Sequence, residues 1–175
     1  SYLISLVSCE IKMDGTKLTI TDETNIATGA LANYATATEC IITASDSVTI
    51  GQQVFQTLTS LKTVTINAKK VILGQQAFQQ SSISDLISIE ASESLTIGES
   101  AFMFATLGGI NISAGAVNIG QQGFQQITKA ANLTIFSESN VTIGKDCFIS
   151  SAVEAVTIKA IGNISLSQQA FQQCT

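Results

Sequence analysis

Arginine, histidine, tryptophan and proline are missing outright from this chain. The missing histidine removes the commonest general base near neutral pH and the commonest metal ligand. With no arginine, and a net charge of -5, the chain also lacks the groups that dominate contacts to phosphate backbones. Nucleic acid is therefore excluded as a partner on electrostatic grounds. No apolar run reaches the roughly 18 residues that a membrane-crossing helix needs. Cysteine is sparse, at positions 9, 40, 147 and 174, and these spacings fit no paired-cysteine zinc pattern. A nucleophilic cysteine would need a base beside it, and no histidine exists to serve. Neither a catalytic residue nor a cofactor or metal site is expected.

What the chain has in abundance is repetition. Phe55, Phe78, Phe102, Phe124, Phe148 and Phe171 recur every 22 to 24 residues, each closing a motif of the type V-T-I-G-Q-Q-A-F. A period of this length means one supersecondary unit stacked along an axis, a solenoid. Aligned on the phenylalanines, the units number six to seven, with Leu31 in the phenylalanine position of the first.

Each unit holds two short alternating segments. One precedes the glycine: Val48-Thr49-Ile50, Val71-Ile72-Leu73, Leu95-Thr96-Ile97, Val117-Asn118-Ile119, Val141-Thr142-Ile143 and Ile164-Ser165-Leu166. The other reads Val64-Thr65-Ile66, Ile87-Ser88-Ile89, Ile110-Asn111-Ile112, Leu133-Thr134-Ile135 and Val156-Thr157-Ile158. Alternation of β-branched and polar residues predicts a strand with one buried face. Between strand and phenylalanine stands Gly74-Gln75-Gln76-Ala77 or a variant, with Gly51, Gly98, Gly120 and Gly144 at the same corner. The glutamines and alanine are good helix formers, enough for about one helical turn, from which the phenylalanine would point inward. The fold class is thus a mainly β repeat solenoid, each coil carrying two short strands and a short helical turn. One coil cannot bury enough apolar surface to offset the entropy of ordering it; stacking must supply the rest.

The chain begins differently. Cys9 to Met13 and Thr16 to Ile20 alternate on either side of Asp14-Gly15, a strong short hairpin signal. Residues 1–20 are expected to form an N-terminal β-hairpin cap, and residues 21–175 the solenoid. Within the cap, Tyr2 to Ser8 fits either the tail of a secretory signal's apolar region or a first strand.

The string Ile97-Gly98-Glu99-Ser100-Ala101-Phe102, with its variant Leu73-Gly74-Gln75-Gln76-Ala77-Phe78, resembles the BspA-like subclass of leucine-rich repeats. The resemblance covers residues 16–175, although the proline usual after a strand in that family is missing here. It implies a leucine-rich-repeat-like solenoid, secreted or at a cell surface, that binds other molecules without catalysis. A parallel β-helix is the structural alternative, and the helical preference of the Gln-Gln-Ala-Phe-Gln segment favours the leucine-rich repeat.

Candidate sites are few. Cys9 falls in step with Ile11 and Met13, and Cys40 aligns with the inward Val64; a Cys9–Cys40 bridge would pin the cap. The plainer reading is two buried thiols. Cys147 sits in the slot of Ala77 and Ala101 and is expected free and buried. Asp22-Glu23 and Glu90/Glu93 lack the order of a calcium loop. Gly108-Gly109 reads as a corner rather than a phosphate cradle, since no helix follows. The glutamine pairs, from Gln52-Gln53 to Gln172-Gln173, are expected either to stack as amide ladders between coils or to serve as polar filler. Thr65, Ser88, Asn111, Thr134 and Thr157 share an outward register, as do Thr49, Thr96, Asn118, Thr142 and Ser165, with Ile72 and Glu90 intruding.

Four N-glycosylation sequons lie on these strands, at Asn111, Asn132, Asn140 and Asn163, all placed outward by alternation. The expected protein is a non-catalytic, extracellular structural solenoid, glycosylated at these asparagines and able to stack head-to-tail into filaments. The alternative is a cell-surface adhesin that holds a protein or glycan ligand on one sheet face.

Overall fold

A computed structural model describes residues 9–174; the Tyr2 to Ser8 segment, read as signal remnant or strand, lies outside the described residues. The chain winds through seven coils. A hairpin of β1 (Glu10–Asp14) and β2 (Lys17–Thr21) opens it. Face one of the stack then runs through β4 (Glu39–Thr43), the first half of β6 (Thr63–Leu73), of β8 (Leu86–Ile97) and of β10 (Gly109–Ile119), then β11 (Ala130–Ser137) and β13 (Val153–Ala160). Face two is β3 (Asn25–Ile26), β5 (Ser47–Ile50), the second halves of β6, β8 and β10, then β12 (Val141–Ile143) and β14 (Ile164–Leu166). Two short strands, β7 (Ser82–Ile83) and β9 (Thr106–Leu107), pair with each other on the third side, and every pairing after the hairpin is parallel.

The alternating runs about Asp14-Gly15 do pair as an antiparallel hairpin. Asp14 pairs with Lys17, so the two turn residues are Gly15 and Thr16, and Gly15 takes φ 60°. A glycine first, in the left-handed region, is what a type II′ hairpin turn requires. Strand β2 faces β1 on one side and β4 on the other, so the hairpin is continuous with the first coil.

Face one keeps strict step. Val64, Ile87, Ile110, Leu133 and Val156 are register partners in succession, 23 residues apart. The variation in repeat length is confined to the bends. In β8 an extra residue bulges between Ala91 and Ser94, opposite Ala68/Lys70 on one side and Ala114/Ala116 on the other. From the last residue of face two to the phenylalanine the count is again constant, as in Leu73 to Phe78 and Ile143 to Phe148. Insertions are tolerated where the chain turns outside the core, and not where side chains must lie over one another.

The third side corrects the expectation of a helical turn. The only helical element among the described residues is a 3-10 turn at Ala32–Tyr34. The Gln-Gln-Ala-Phe-Gln-Gln segments form an arc of consecutive β-turns. In the third coil, Ala77 N–H donates to Gly74 O (3.2 Å), Gln79 to Gln76 (3.0 Å) and Ser81 to Phe78 (3.1 Å). The intervening amides point along the stack: Gln76 N–H donates to Glu99 O (3.1 Å), Phe78 to Ala101 (2.7 Å) and Gln80 to Met103 (3.0 Å). Every second residue thus bonds within its coil and every other one to the next coil. A helix would direct all these amides within the segment and forfeit the bonds between coils. The alternation requires left-handed residues, and they recur two before the phenylalanine (Gln53, Gln76, Ser100, Gln122, Asp146, Gln169) and two after it (Gln80, Phe104, Gln126, Ser150, Gln173).

The core is one continuous column. Phe55, Phe78, Phe102, Phe124 and Phe148 are buried, and with Phe171 their rings stack at centroid spacings of 4.1 to 5.1 Å, within 10° of parallel. Cys40, Val64 and the inward residues of both faces surround it.

The corner glycines have ordinary φ angles; what they supply is closeness. A Cβ built on Gly98 would lie 2.7 Å from Gly74 C and 2.8 Å from Gln75 N, both backbone atoms that cannot swing away. Gly98→Ala is therefore expected to cost about 1–3 kcal/mol by forcing coils apart. The measure is a lowered urea midpoint by circular dichroism; an unchanged midpoint would refute close approach as the reason for glycine there.

Candidate interaction surface

The outward rows emerge in the register that alternation predicts. On face one Thr19, Ile41, Thr65, Ser88, Asn111, Thr134 and Thr157 are successive partners. On face two the series is Asn25, Thr49, Ile72, Thr96, Asn118, Thr142 and Ser165. Neighbours along a row are spaced by the strand separation of about 4.8 Å. Isoleucines at 41 and 72 interrupt the two rows. A third row, Thr43, Asn67, Glu90, Ser113, Phe136 and Lys159, is chemically mixed, with Phe136 38% exposed.

All four sequon asparagines are exposed. Asn111 lies mid-strand in β10 between Ser88 and Thr134. Asn132 has Gly109 on one side and Ala155 on the other, so small neighbours leave its side chain room. Asn140 and Asn163 occupy equivalent places one coil apart, just ahead of β12 and β14 and not within them. The Asn140 side-chain oxygen accepts the Asn163 N–H at 2.8 Å.

The Cys9–Cys40 bridge does not fit this fold. Both thiols are free, Cys9 exposed and Cys40 buried. Hairpin register is the reason: Met13 pairs with Leu18, and Leu18 with Cys40, so Met13 rather than Cys9 lies in the row of Cys40. Cys9 is four residues further along the strand, about 13 Å, against the Cα separation of about 7 Å that a disulfide tolerates. Its sulfur instead donates to Glu23 Oε2 at 2.6 Å, and that hydrogen bond holds the thiol above its ordinary pKa. Burial pushes the Cys40 and Cys147 thiols up to about 12. Cys174, the last residue described, donates to Phe148 O at 3.0 Å, and partial burial raises its pKa.

The acidic residues serve the corners. Asp22 Oδ1 accepts the Ser45 N–H at 2.7 Å, Glu23 Oε1 accepts that of Asn25, and Glu93 pairs with Lys70 at 3.4 Å in solvent. Among the described residues no three acidic or cysteine side chains converge as metal ligands do. Gly108 serves a close backbone approach: a Cβ there would overlap Asp85 O, at 2.1 Å, and its N–H donates to Ile83 O at 2.9 Å, so that amide is not turned to an anion. Amide contacts between glutamines join only the second and third coils among the described residues. They run diagonally, from Gln52 to Gln76, Gln53 to Gln79 (3.0 Å) and Gln56 to Gln80 (2.8 Å).

One exposed residue escapes a reading by periodicity. Phe104 is 42% exposed on the arc and holds φ 59°. The left-handed region costs a residue with a Cβ about 1–2 kcal/mol, and for a bulky side chain it is an outlier. Register puts Gln80 and Gln126 beside it, since Gln80 N–H donates to Met103 O and Phe102 N–H to Gly123 O. The sequence signal is Met103-Phe104 where the third, fifth and seventh coils carry a glutamine pair after the phenylalanine. Next to this row lies a hollow of about 300 Å³, bordered by Ser82, Ser84, Thr106, Leu107, Gly108, Lys129 and Ala131.

The family model described as a BspA-type leucine-rich repeat region matches this chain in six copies, over residues 24–103 and 48–175. No curated protein and no solved structure gives a match.

The thiols supply a direct check of the arrangement. At pH 8, iodoacetamide should modify Cys9 and Cys174 in the native protein and leave Cys40 and Cys147 intact until denaturant is added. Rapid native labelling of Cys40, read by peptide mass spectrometry, would contradict its place in the core.

Proposed function

The chain belongs to the BspA-type leucine-rich repeat family, and on that premise we propose that it is a non-catalytic extracellular scaffold, secreted or held at a cell surface. Its sheet faces display hydroxyls and carry N-linked glycans. The observation that supports this reading most is the placing of the sequons. Asn111, Asn132, Asn140 and Asn163 all reach solvent, and each has a serine or threonine two residues on. Four such sites between residues 111 and 165 load glycan onto one end of the stack, on faces one and two and away from the arc.

The same scaffold reading includes end-to-end association. The seventh coil exposes Ile164, Leu166 and part of Phe171, whose equivalents one coil back, Val141, Ile143 and Phe148, are buried. A second copy docking there would extend both parallel ladders and the phenylalanine column, which makes the contact heterologous and able to propagate.

A second reading, a recognition module of adhesin type, is favoured by the apolar side chains set among the hydroxyls. Ile72 and Phe136 stand 42% and 38% exposed on otherwise polar rows. Solvated aromatics and aliphatics in a rigid, flat surface are the raw material of a protein-binding patch.

Two measurements address the scaffold reading. Peptide mapping of the chain secreted from a eukaryotic host is expected to find glycan at the four asparagines, with Asn132 the least hindered by its neighbours; four unmodified asparagines would refute the glycan-bearing surface. Light scattering with electron microscopy of the purified chain is expected to show association that rises with concentration and is suppressed by Leu166→Lys. A monodisperse monomer at high concentration would end the stacking proposal.

A further inference from the structure

Phe104 leaves 42% of its surface in solvent, the largest exposed side chain of the arc apart from the last coil's Phe171. Its backbone sits in a conformation that other coils assign to Gln80, Gln126, Ser150 or Gln173. Glutamine at that place would carry the same turn with less steric conflict. The turn demands the left-handed backbone in each of these coils, but not an aromatic side chain, and a half-exposed ring on a polar arc is the kind of group that a ligand covers.

The surroundings say which chemistry the ring faces. Gln80 and Gln126 flank Phe104 at one strand separation on either side, about 4.8 Å. The Gln126 amide offers two donors and an acceptor, and Gln80 offers its two donors, its oxygen accepting from Gln56 Nε2 at 2.8 Å. Alternation along the chain makes the next outward residues Ser82, Thr106 and Thr128, about 7 Å away across the arc; the Thr106 and Thr128 hydroxyls lie 2.8 Å apart. Lys129 borders the hollow beside them. An aromatic face bordered by amides and hydroxyls at these spacings suits a ring with an apolar C–H face and equatorial hydroxyls about its rim. The C–H edges carry partial positive charge and pack against the electron-rich ring face, while a few placed polar groups fix orientation. Anionic or strongly apolar partners suit it less, given one lysine and one exposed ring.

We propose that the arc around Phe104 is a saccharide-binding site, with Phe104 the stacking platform, Gln80 and Gln126 the lateral hydrogen-bonding groups, and Thr106 with Lys129 the groups that meet the next sugar along. The site is on the side of the solenoid that carries no sequon, so it is open whether or not glycans occupy the sheet faces.

The test uses the full chain made in bacteria, without glycans, so that it is independent of the scaffold reading. Titration calorimetry with soluble hexasaccharides of β-1,4-glucose, β-1,4-N-acetylglucosamine, α-1,4-glucose and α-mannose should give saturable binding of at least one at millimolar concentration. Phe104→Gln should weaken that binding at least tenfold while the melting temperature stays level or rises, because the variant carries the residue of the adjacent coils. Gln126→Ala should weaken it by a smaller factor. No saturable binding of any of the four saccharides would overturn the proposal, and so would equal binding by Phe104→Gln. Phe104-dependent binding of peptides in a display library, with no saccharide bound, would overturn it in favour of a protein-binding site.

Discussion

The parallel hydrogen-bond ladder between coils is the constraint on which the rest of this molecule depends. It runs through face one, through face two and, from the second coil on, across the arc, where amides such as those of Gln76, Phe78 and Gln80 donate to the next coil. A ladder that takes in all three sides sets a single axial repeat of about 4.8 Å for every atom in the coil. The phenylalanine column follows from it. Isolated aromatic pairs prefer edge-to-face or offset arrangements, yet here rings lie within 10° of parallel at 4.8 Å in three of the five contacts. The spacing is the strand spacing, so the backbone dictates the stack and the rings conform.

The same constraint explains which positions admit change. A residue that points at the axis or at the adjacent coil is held on two sides, as the corner glycines are. A residue in the bends is held on neither, and the extra residue of β8 is absorbed there without disturbing face one. Stability in such an array is close to a sum of coil terms and neighbour terms. The fifth coil, packed on both sides, buries its inward residues almost completely, whereas Ile164 and Leu166 of the seventh stand open. Opening is therefore cheapest at an end, and a partner that covers an end stabilises every coil behind it.

Two features were unreadable along the chain for one shared reason: each depends on what lies a coil away. Helix propensity in Gln-Gln-Ala-Phe-Gln-Gln is a local quantity, and it yields to amide partners some 23 residues distant, as in Gln76 to Glu99. The Cys9–Cys40 pairing rested on both residues sharing a face, which alternation can tell; it failed on their distance along that face, which the turn at Gly15-Thr16 sets. Phe104 differs. Its break with the glutamine pattern is plain in the sequence, but its exposure and its left-handed backbone are properties of the arc, and they make it a candidate for binding rather than one more core phenylalanine.

What the amino-acid order determined by itself is everything tied to period: the solenoid, the inward and outward sets, the phenylalanine core, and the family of the repeats. Burial of one face enforces alternation and stacking enforces recurrence, so both are written into the chain at fixed intervals. Only the tertiary structure decided the arc's alternating turns, the reason for each corner glycine, the separation of the two cysteines, and the grouping of Phe104 with Gln80, Gln126 and the hydroxyls beside the hollow. Those are relations between neighbouring coils, fixed by backbone hydrogen bonds whose partners no single repeat contains.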